Sequence, residues 1–300
     1  MSVKKIIYIA GPTASGKSTA AVQLAQILNC PIISADSRQI YKHLNIGTAK
    51  IQTHEMHSVP HHLLDFVELE HHYDVAQFFE DAAQILKHHF TTNDFCIVCG
   101  GTGFYIKALL QGIDILPKIE PDLRNKLIDV LNTEGILSLQ NWAKQLDPLY
   151  YSQIDQNNPM RLMRLIELCT TIGSPISSIE FEKKTLDPSY QHIKILIQLP
   201  RELLYHKINL RVDDMMTNGL LNEVKSLSKY RDCQALQTVG YAELFDYLDG
   251  LCSLDQAVEK IKQHSRNYAK RQLTWFKKFY PQEHTISNTD ELLQLNFCET

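Results

Sequence analysis

A glycine-rich segment near the amino terminus constrains the fold more than any other feature. Residues 11–18 read GPTASGKS; an apolar run at 4–10 precedes them, and a helical pattern of apolar residues at 16–29 follows. Glycines let the backbone curl so that successive N–H groups point at one anion, and the helix adds the positive end of its dipole. The segment therefore predicts a strand, a phosphate-binding loop and a helix in succession.

The residues of this loop have expected roles. Lys17 would supply a compact positive charge to the phosphates, and the hydroxyl of Ser18 can ligate Mg²⁺. The loop alone does not say which phosphate ester binds. We expect a diphosphate or nucleotide to contact the whole loop, which consists of Gly11, Pro12, Thr13, Ala14, Ser15, Gly16, Lys17 and Ser18.

Strand and helix patterns alternate along the chain on both sides of a helical stretch. Further strands are predicted at 31–35, 95–99 and 192–199, and helices at 73–90 and 104–110. Such alternation indicates an α/β fold with a parallel sheet.

Residues 117–190 show helical periodicity and no convincing strand. We therefore expect a P-loop NTPase-like parallel sheet core, formed by 1–116 and 191–300 with C-terminal helices, and an inserted helical domain at 117–190.

Composition narrows the class of protein. Of the 300 residues, 44% are hydrophobic and 21% charged, which is ordinary for a globular chain. The net charge of −4 means that a nucleic-acid partner would need a local basic face, and 259–278 offers one, with seven Lys and Arg against one Glu.

No apolar stretch is long enough to span a membrane. The seven cysteines are an odd number without a signal peptide, so we expect reduced thiols and a cytoplasmic protein.

A carboxylate is expected beside the phosphate loop. Many P-loop enzymes carry an acid at the end of a second strand, but the strand at 95–99 runs into Gly100, Gly101 and Thr102. Asp36 instead follows the strand at 31–35. Because parallel strands end at one edge of the sheet, Asp36 could act there as a base or as a metal partner.

Three segments together carry a resemblance to a known family. Residues 11–18 (GPTASGKS), 36–50 (DSRQIYKHLNIGTAK) and 100–105 (GGTGFY) resemble the tRNA dimethylallyltransferases, which prenylate adenosine 37 next to the anticodon. The resemblance covers nearly the whole chain. Further segments agree in the same order, namely HHLLD at 61–65, RLMRLIE at 161–167, RVDDMMTNGLLNEV at 211–224, VGY at 239–241 and AKRQLTW at 269–275.

This resemblance implies prenyl transfer from dimethylallyl diphosphate to N6 of adenosine. The diphosphate would lie on the loop, and it would leave with Mg²⁺ as the cofactor. Asp36 would take the proton of the amine, Thr102 would hold the amine or Asp36, and Lys17 and Arg211 would stabilise the leaving group.

The resemblance also implies binding of the tRNA anticodon stem-loop by a monomer that does not associate with membranes. Met160 and Ala242 depart from the family pattern, which commonly has polar or basic residues there. The implied tRNA-binding residues are Asp36, Ser37, Arg38, Gln39, Thr102, Arg124, Met160, Arg161, Leu162, Met163, Arg164, Gly240 and Tyr241.

Other functions share parts of this pattern. An adenylate isopentenyltransferase would use the same chemistry on a free nucleotide, but such an acceptor needs no clamp like the helical insertion with Arg161 and Arg164. A P-loop small-molecule kinase would transfer phosphate from ATP. An RNA-binding regulator with a vestigial loop is disfavoured by the intact Lys17, Ser18 and Asp36.

Overall fold

The computed structural model describes residues 3–280, 283–295 and 297. The chain divides into two compact units, a core unit of Met1–Gly112 with Thr185–Thr300 and a helical unit of Ile113–Lys184. The division thus falls four residues before the expected start of the insertion and six residues before its expected end.

The described residues form eight strands and twelve α-helices. The strands are β1 (Lys5–Ala10), β2 (Ile32–Ser34), β3 (His61–His62), β4 (Phe95–Gly100), β5 (Ile113–Asp114), β6 (Lys183–Lys184), β7 (Gln191–Ile197) and β8 (His284–Ile286). The helices are α1 (Lys17–Leu28), α2 (Val75–His89), α3 (Gly103–Gln111), α4 (Pro121–Glu134), α5 (Ile136–Leu146), α6 (Pro148–Gln153), α7 (Pro159–Ile172), α8 (Arg201–Thr217), α9 (Leu220–Ser226), α10 (Ala242–Leu248), α11 (Leu254–Phe279) and α12 (Thr289–Leu293).

Six strands of the core unit form one parallel sheet in the order β3-β2-β4-β1-β7-β8. Every residue of β1 is buried, because neighbours cover both edges and helices pack on the sheet. Ile7 of β1 lies opposite Ile97 of β4 and Ile193 of β7. The expected α/β fold with a P-loop-like parallel sheet is therefore confirmed.

The order of the strands creates a crevice at their carboxyl ends. β4 lies between β2 and β1, and the chain later crosses to the other side of β1, where β7 and β8 extend the sheet. Ligands of open α/β sheets bind at such a crossing point. The phosphate loop after β1, the turn after β2 and the glycine turn after β4 all emerge there.

Apolar periodicity explains how α1 packs. Ala21 and Leu24 of this helix join Ile7, Ile9 and Leu292 in one buried cluster. Side chains alternate along a strand, so Tyr8 points to the opposite face, where its ring stacks on His192 at 5.5 Å between centroids. The sheet is thus buried on both faces, as its continuous apolar strands require.

The helical unit has a core of its own. Its buried centre includes Leu127 of α4, Leu139 of α5 and Ile166 of α7. Proline at the first position fits the starts of α4 and α7, and Asn158 caps α7 by accepting from two backbone N–H groups. The strands β5 and β6 pair antiparallel at its two chain ends. Their two-residue length hides them from a sequence pattern.

None of the helices in the described part of the chain combines the length and apolar character that a membrane crossing needs.

Candidate active site

The phosphate loop follows β1 directly and is tightly curled. Ala14 has a φ of 61° and Gly16 a φ of 84°, so the backbone makes a left-handed turn at both positions. A Cβ at Gly11 would lie 2.9 Å from Oγ of Ser15 and 3.0 Å from the carbonyl oxygen of Ile197. A side chain at position 11 would therefore crowd both the loop and the end of β7, which glycine avoids.

Two polar groups of the loop have unusual surroundings. Oγ of Ser15 is buried and has no hydrogen-bond partner among the described residues. The ammonium of Lys17 donates a 3.1 Å hydrogen bond to the carbonyl of Pro12, its one hydrogen bond within the described residues, and burial lowers the pKa of this ammonium. An anion in the loop would satisfy the hydroxyl and compensate the desolvated cation, so this cradle fits a phosphate group.

Arg211 brings a second desolvated cation to the same cavity. Its Nη2 atom donates to the carbonyl of Thr48 at 3.2 Å, and burial lowers the pKa of the guanidinium. Within the described residues, neither Arg211 nor Lys17 has a carboxylate within 4.0 Å, the limit for an ion pair. Two cations facing one cavity without a paired carboxylate form a site for an anion of multiple charge.

Asp36 lies in a tight turn after β2. Its Oδ1 atom accepts hydrogen bonds from the backbone N–H groups of Arg38 at 2.9 Å and Gln39 at 3.3 Å. These bonds fix the carboxylate, while Oδ2 has no hydrogen-bond donor among residues of the described part of the chain. One carboxylate oxygen is therefore oriented by the backbone and the other is open to a substrate.

The glycine turn after β4 packs directly against the Asp36 turn. A Cβ at Gly100 would lie only 2.1 Å from the carbonyl oxygen of Ala35. Thr102 Oγ1 accepts a 2.9 Å hydrogen bond from the backbone N–H of Ser37. This bond helps to fix the Asp36 turn, and the predicted contact of Thr102 with the amine stays a prediction.

These groups surround a cavity of about 610 Å³ in the core unit. Lys17, Ser18 and Arg211 lie at its wall together with Asp36 and the polar side chains of Ser37, Arg38 and Gln39. Apolar side chains form another part of the wall, and these include Ile51, Leu64, Ile208, Val212, Met215, Val239 and Ile261.

Two further groups at the wall stay neutral. Burial raises the pKa of the Cys99 thiol to about 12, and its Sγ donates to the carbonyl of Lys17 at 3.6 Å. Burial and the nearby Asp36 raise the pKa of Tyr268 to about 12. Of the two carboxylates at the wall, Glu243 accepts from the backbone N–H of Gly240 at 2.7 Å and contacts Nδ1 of His264 at 2.5 Å, so Asp36 is the one that keeps an oxygen without a described partner.

Glu223 is a supporting residue whose role the sequence analysis missed. Its carboxylate accepts from the backbone N–H groups of Asn45 at 3.1 Å, Ile46 at 2.8 Å and Gly47 at 3.0 Å, and from the hydroxyl of Tyr241 at 2.6 Å. These bonds fix the segment that precedes Thr48.

Tyr241 and Gly240 belong to different environments, although both are predicted to bind tRNA. Gly240 lines the cavity, with a φ of 99°. The ring of Tyr241 is buried in the core, against Gly47, where a Cβ would lie 2.5 Å from it. The ring of Tyr241 is therefore inaccessible to tRNA and its hydroxyl donates to Glu223, so its side chain supports the core instead of making the predicted contact.

The helical unit separates its predicted tRNA-binding residues into two groups. Met160 and Arg161 are exposed and Arg164 is half-exposed. Leu162 and Met163 are 0% and 2% exposed, in the core of the unit, so direct contact of these two side chains with tRNA is wrong. Their position follows from the helix, which turns neighbouring side chains to different faces.

Arg124 and Arg164 converge on the buried carboxylate of Glu167. Arg124 donates to it through Nη2 at 2.9 Å, and Nη1 of Arg164 lies 3.7 Å away. Arg124 compensates a buried charge, so the structure gives it a role in the helical unit besides the predicted contact with tRNA.

Comparison with known proteins shows the family of this chain. A family model described as IPP transferase matches residues 39–279. The chain belongs to the IPP transferase family. It is 42% identical over 292 residues to a tRNA dimethylallyltransferase of Cytophaga hutchinsonii, a match that covers 95% of this chain and 96% of that protein.

Solved structures of the family have the same fold. The tRNA isopentenylpyrophosphate transferase of Bacillus halodurans has a TM-score of 0.70 and 35% identity, with 97% of this chain and 93% of that chain covered. A eukaryotic dimethylallyltransferase acting on tRNA has a TM-score of 0.75 and 26% identity, with 91% and 70% covered.

Proposed function

We propose that this protein transfers a dimethylallyl group from dimethylallyl diphosphate to N6 of the adenosine next to the anticodon in tRNA. One observation carries the proposal: two desolvated cations, Lys17 and Arg211, face the same cavity as a carboxylate with one open oxygen, Asp36. The membership of the IPP transferase family supports it.

The donor would bind with its diphosphate in the curled loop. The free hydroxyl of Ser15 and the N–H groups at the start of α1 would donate to its oxygens, and Lys17 and Arg211 would neutralise its charge. Its five-carbon group needs an apolar surface, which side chains such as Ile208 and Val212 provide in this cavity.

The chemistry requires one bond to form and one to break. The N6 lone pair attacks the allylic carbon that carries the diphosphate, the C–O bond breaks, and the diphosphate leaves with the electron pair. Lys17 and Arg211 stabilise the charge that develops on the leaving oxygen. The proton released by N6 is accepted by Oδ2 of Asp36, whose Oδ1 is held by the backbone.

Mg²⁺ is proposed as the metal cofactor. Bound beside the phosphate loop, Mg²⁺ would neutralise charge on the diphosphate and help the leaving group depart. Ser18 is the residue that would hold it, because this residue lies at the cavity wall, carries a hydroxyl, and hard cations prefer oxygen ligands. No three His, Cys, Asp or Glu side chains cluster as a metal site within the described residues, so the protein would supply few of the ligands.

The acceptor would be an adenine taken out of its base stack, as enzymes that modify bases in nucleic acid require. Ser37, Arg38 and Gln39, which line the cavity, would hold it with their polar side chains. Arg161 and Arg164 offer positive charge for the phosphate backbone of the RNA. A relative that acts on tRNA, the eukaryotic dimethylallyltransferase, has the same fold. The cytoplasmic location and the monomeric state remain predictions.

A product analysis tests the function. Purified protein would be incubated with dimethylallyl diphosphate, Mg²⁺ and tRNA that lacks the modification, and the digested nucleosides would be analysed by mass. We expect N6-dimethylallyladenosine. Parallel reactions with AMP, ADP and ATP as acceptors test the adenylate enzyme, and ATP with small acceptors tests the kinase. Prenylated nucleotide without prenylated tRNA, or phosphate transfer alone, would contradict the proposal.

A further inference from the structure

A buried glutamine joins the phosphate loop to the glycine turn. Gln272 of α11 is 8% exposed. Its Oε1 atom accepts from the backbone N–H of Thr13 at 2.9 Å, and its Nε2 atom donates to the carbonyl of Gly101 at 2.9 Å. One side-chain amide thus uses both ends to bind two loops that are distant in sequence.

The fit around this amide is close. A Cβ at Gly101 would lie 2.4 Å from Nε2 of Gln272 and 3.5 Å from the carbonyl oxygen of Gly11. The glycine at 101 therefore lets the turn approach the amide and the phosphate loop together. A side chain that only filled space would need no donor and acceptor at these two positions.

The glycine turn continues this connection to the carboxylate. The residue after Gly101, Thr102, donates its backbone N–H to the carbonyl of Ala35 at 3.1 Å and accepts from the N–H of Ser37 at 2.9 Å. Asp36 lies between these two residues. Gln272 thus links the phosphate loop to the glycine turn, and Thr102 of that turn links it to the residues on either side of Asp36.

We propose that Gln272 is a positioning residue that sets the distance between the diphosphate loop and Asp36. If the loop holds the donor and Asp36 holds the adenine amine, this distance sets the separation of the two reacting atoms. The inference thus rests on the proposed function. Displacement of reacting groups by about 1 Å can cost roughly 10²-fold in rate, so the amide would contribute to turnover through the spacing of the two loops, although Gln272 also lies at the cavity wall.

Two variants separate the parts of this role. Gln272→Met keeps the length of the side chain and loses both hydrogen bonds. Gln272→Glu keeps an acceptor for the backbone N–H of Thr13 and loses the donor for Gly101. A carboxylate oxygen would then face the carbonyl oxygen of Gly101, and the two acceptors would repel each other. Gln263→Met is the matched control, because Gln263 is an exposed residue of the same helix.

The expected result is a loss of turnover with little loss of binding. We expect kcat for tRNA prenylation to fall by about 10-fold to 10²-fold in both variants, while in Gln272→Met, which adds no charge, pyrophosphate affinity and the KM for tRNA change far less. The midpoint of thermal unfolding should show that each variant is folded. The control should keep the kcat of the original protein.

A double-mutant cycle with Thr102→Val gives a readout that a merely structural role would not produce. Both changes break the same connection, so the loss of kcat in the double variant should be smaller than the product of the single losses. Independent multiplication of the losses would overturn the inference. So would an unchanged kcat in Gln272→Met, or unfolding of both Gln272 variants, which would give the amide a role in folding alone.

The failure of this inference is distinct from that of the proposed function. If the original protein forms no prenylated tRNA, the proposed function fails and the inference fails with it. If the original protein is active and the Gln272 variants match it, only the inference fails.

Discussion

The carboxylate of Asp36 lies close enough to Arg211 to raise the pKa of the guanidinium, yet the two residues form no ion pair. The net pKa of Arg211 is still lowered, because burial outweighs this attraction. Arg211 donates to a backbone carbonyl, and Asp36 accepts from backbone N–H groups. Each charge is therefore oriented by the backbone and remains available to a different part of a substrate.

Replacement of Arg211 should weaken both the binding and the departure of the diphosphate. We expect Arg211→Gln to raise the KM for dimethylallyl diphosphate and to lower kcat/KM by about 10²-fold or more, because a desolvated charge at the leaving group is lost. Steady-state kinetics of radiolabelled prenyl transfer measure this. The control is Lys207→Gln, which removes an exposed charge from the same helix; an equal effect of the two changes would contradict the site.

Replacement of Asp36 should separate binding from chemistry. Asp36→Ala is expected to keep tRNA affinity within a few fold and to lose transfer by about 10²-fold or more, as removal of a general base does. Filter binding gives the affinity, and single-turnover transfer gives the rate. Asp36→Asn is the companion variant, since its side-chain oxygen can still accept from Arg38. Transfer at the original rate in either variant would remove Asp36 from the role of base.

Diphosphate binding should depend on the proton of Lys17. Burial lowers the pKa of this ammonium from 10.5, so the loop loses its cation at a lower pH than an ordinary lysine would. Bound diphosphate favours the charged form, so binding should take up a proton and weaken as pH rises through this lowered pKa. Calorimetry in buffers of different ionisation enthalpy detects the uptake. In Lys17→Met the uptake should disappear, and its persistence there would assign it to another group.

The main elements of the fold could be predicted from the sequence because their signals are local. β1 and β4 are continuous apolar runs, and the curled loop between β1 and α1 needs glycines at fixed spacing. β3 and β8 escaped prediction, since the short sequences His61–His62 and His284–Ile286 are extended only because a neighbouring strand pairs with them.

The supporting residues of the site could not be predicted for a related reason. Gln272 binds Thr13 across 259 residues of sequence, and Glu223 binds Asn45 across 178. No spacing rule connects such positions. The predicted tRNA contacts of Leu162 and Met163 failed because both side chains are buried in the helical unit. Arg161 and Arg164 belong to the same motif, but they face another side of the helix.

Glu223 should support both stability and donor binding. Glu223→Gln replaces one acceptor oxygen with an NH₂ group, which leaves at least one backbone N–H of residues 45–47 without a partner. An orphaned donor of this kind costs about 1–3 kcal/mol of unfolding free energy. Because Thr48 follows this segment and accepts from Arg211, the KM for the donor should also rise. Denaturant unfolding and kinetics test the two effects, with the exposed Glu134→Gln as control; no change in either would contradict the role.

Exposed arginines of the helical unit should contribute charge to tRNA binding. The double variant Arg161→Gln with Arg164→Gln is expected to weaken tRNA affinity and to reduce the slope of log affinity against log salt by up to about 2, one for each lost phosphate contact. The KM for dimethylallyl diphosphate should not change. Lys144→Gln with Lys225→Gln removes the same net charge from exposed positions and serves as the matched control. Salt titrations of tRNA binding with the same slope in both double variants would show that Arg161 and Arg164 make no phosphate contacts.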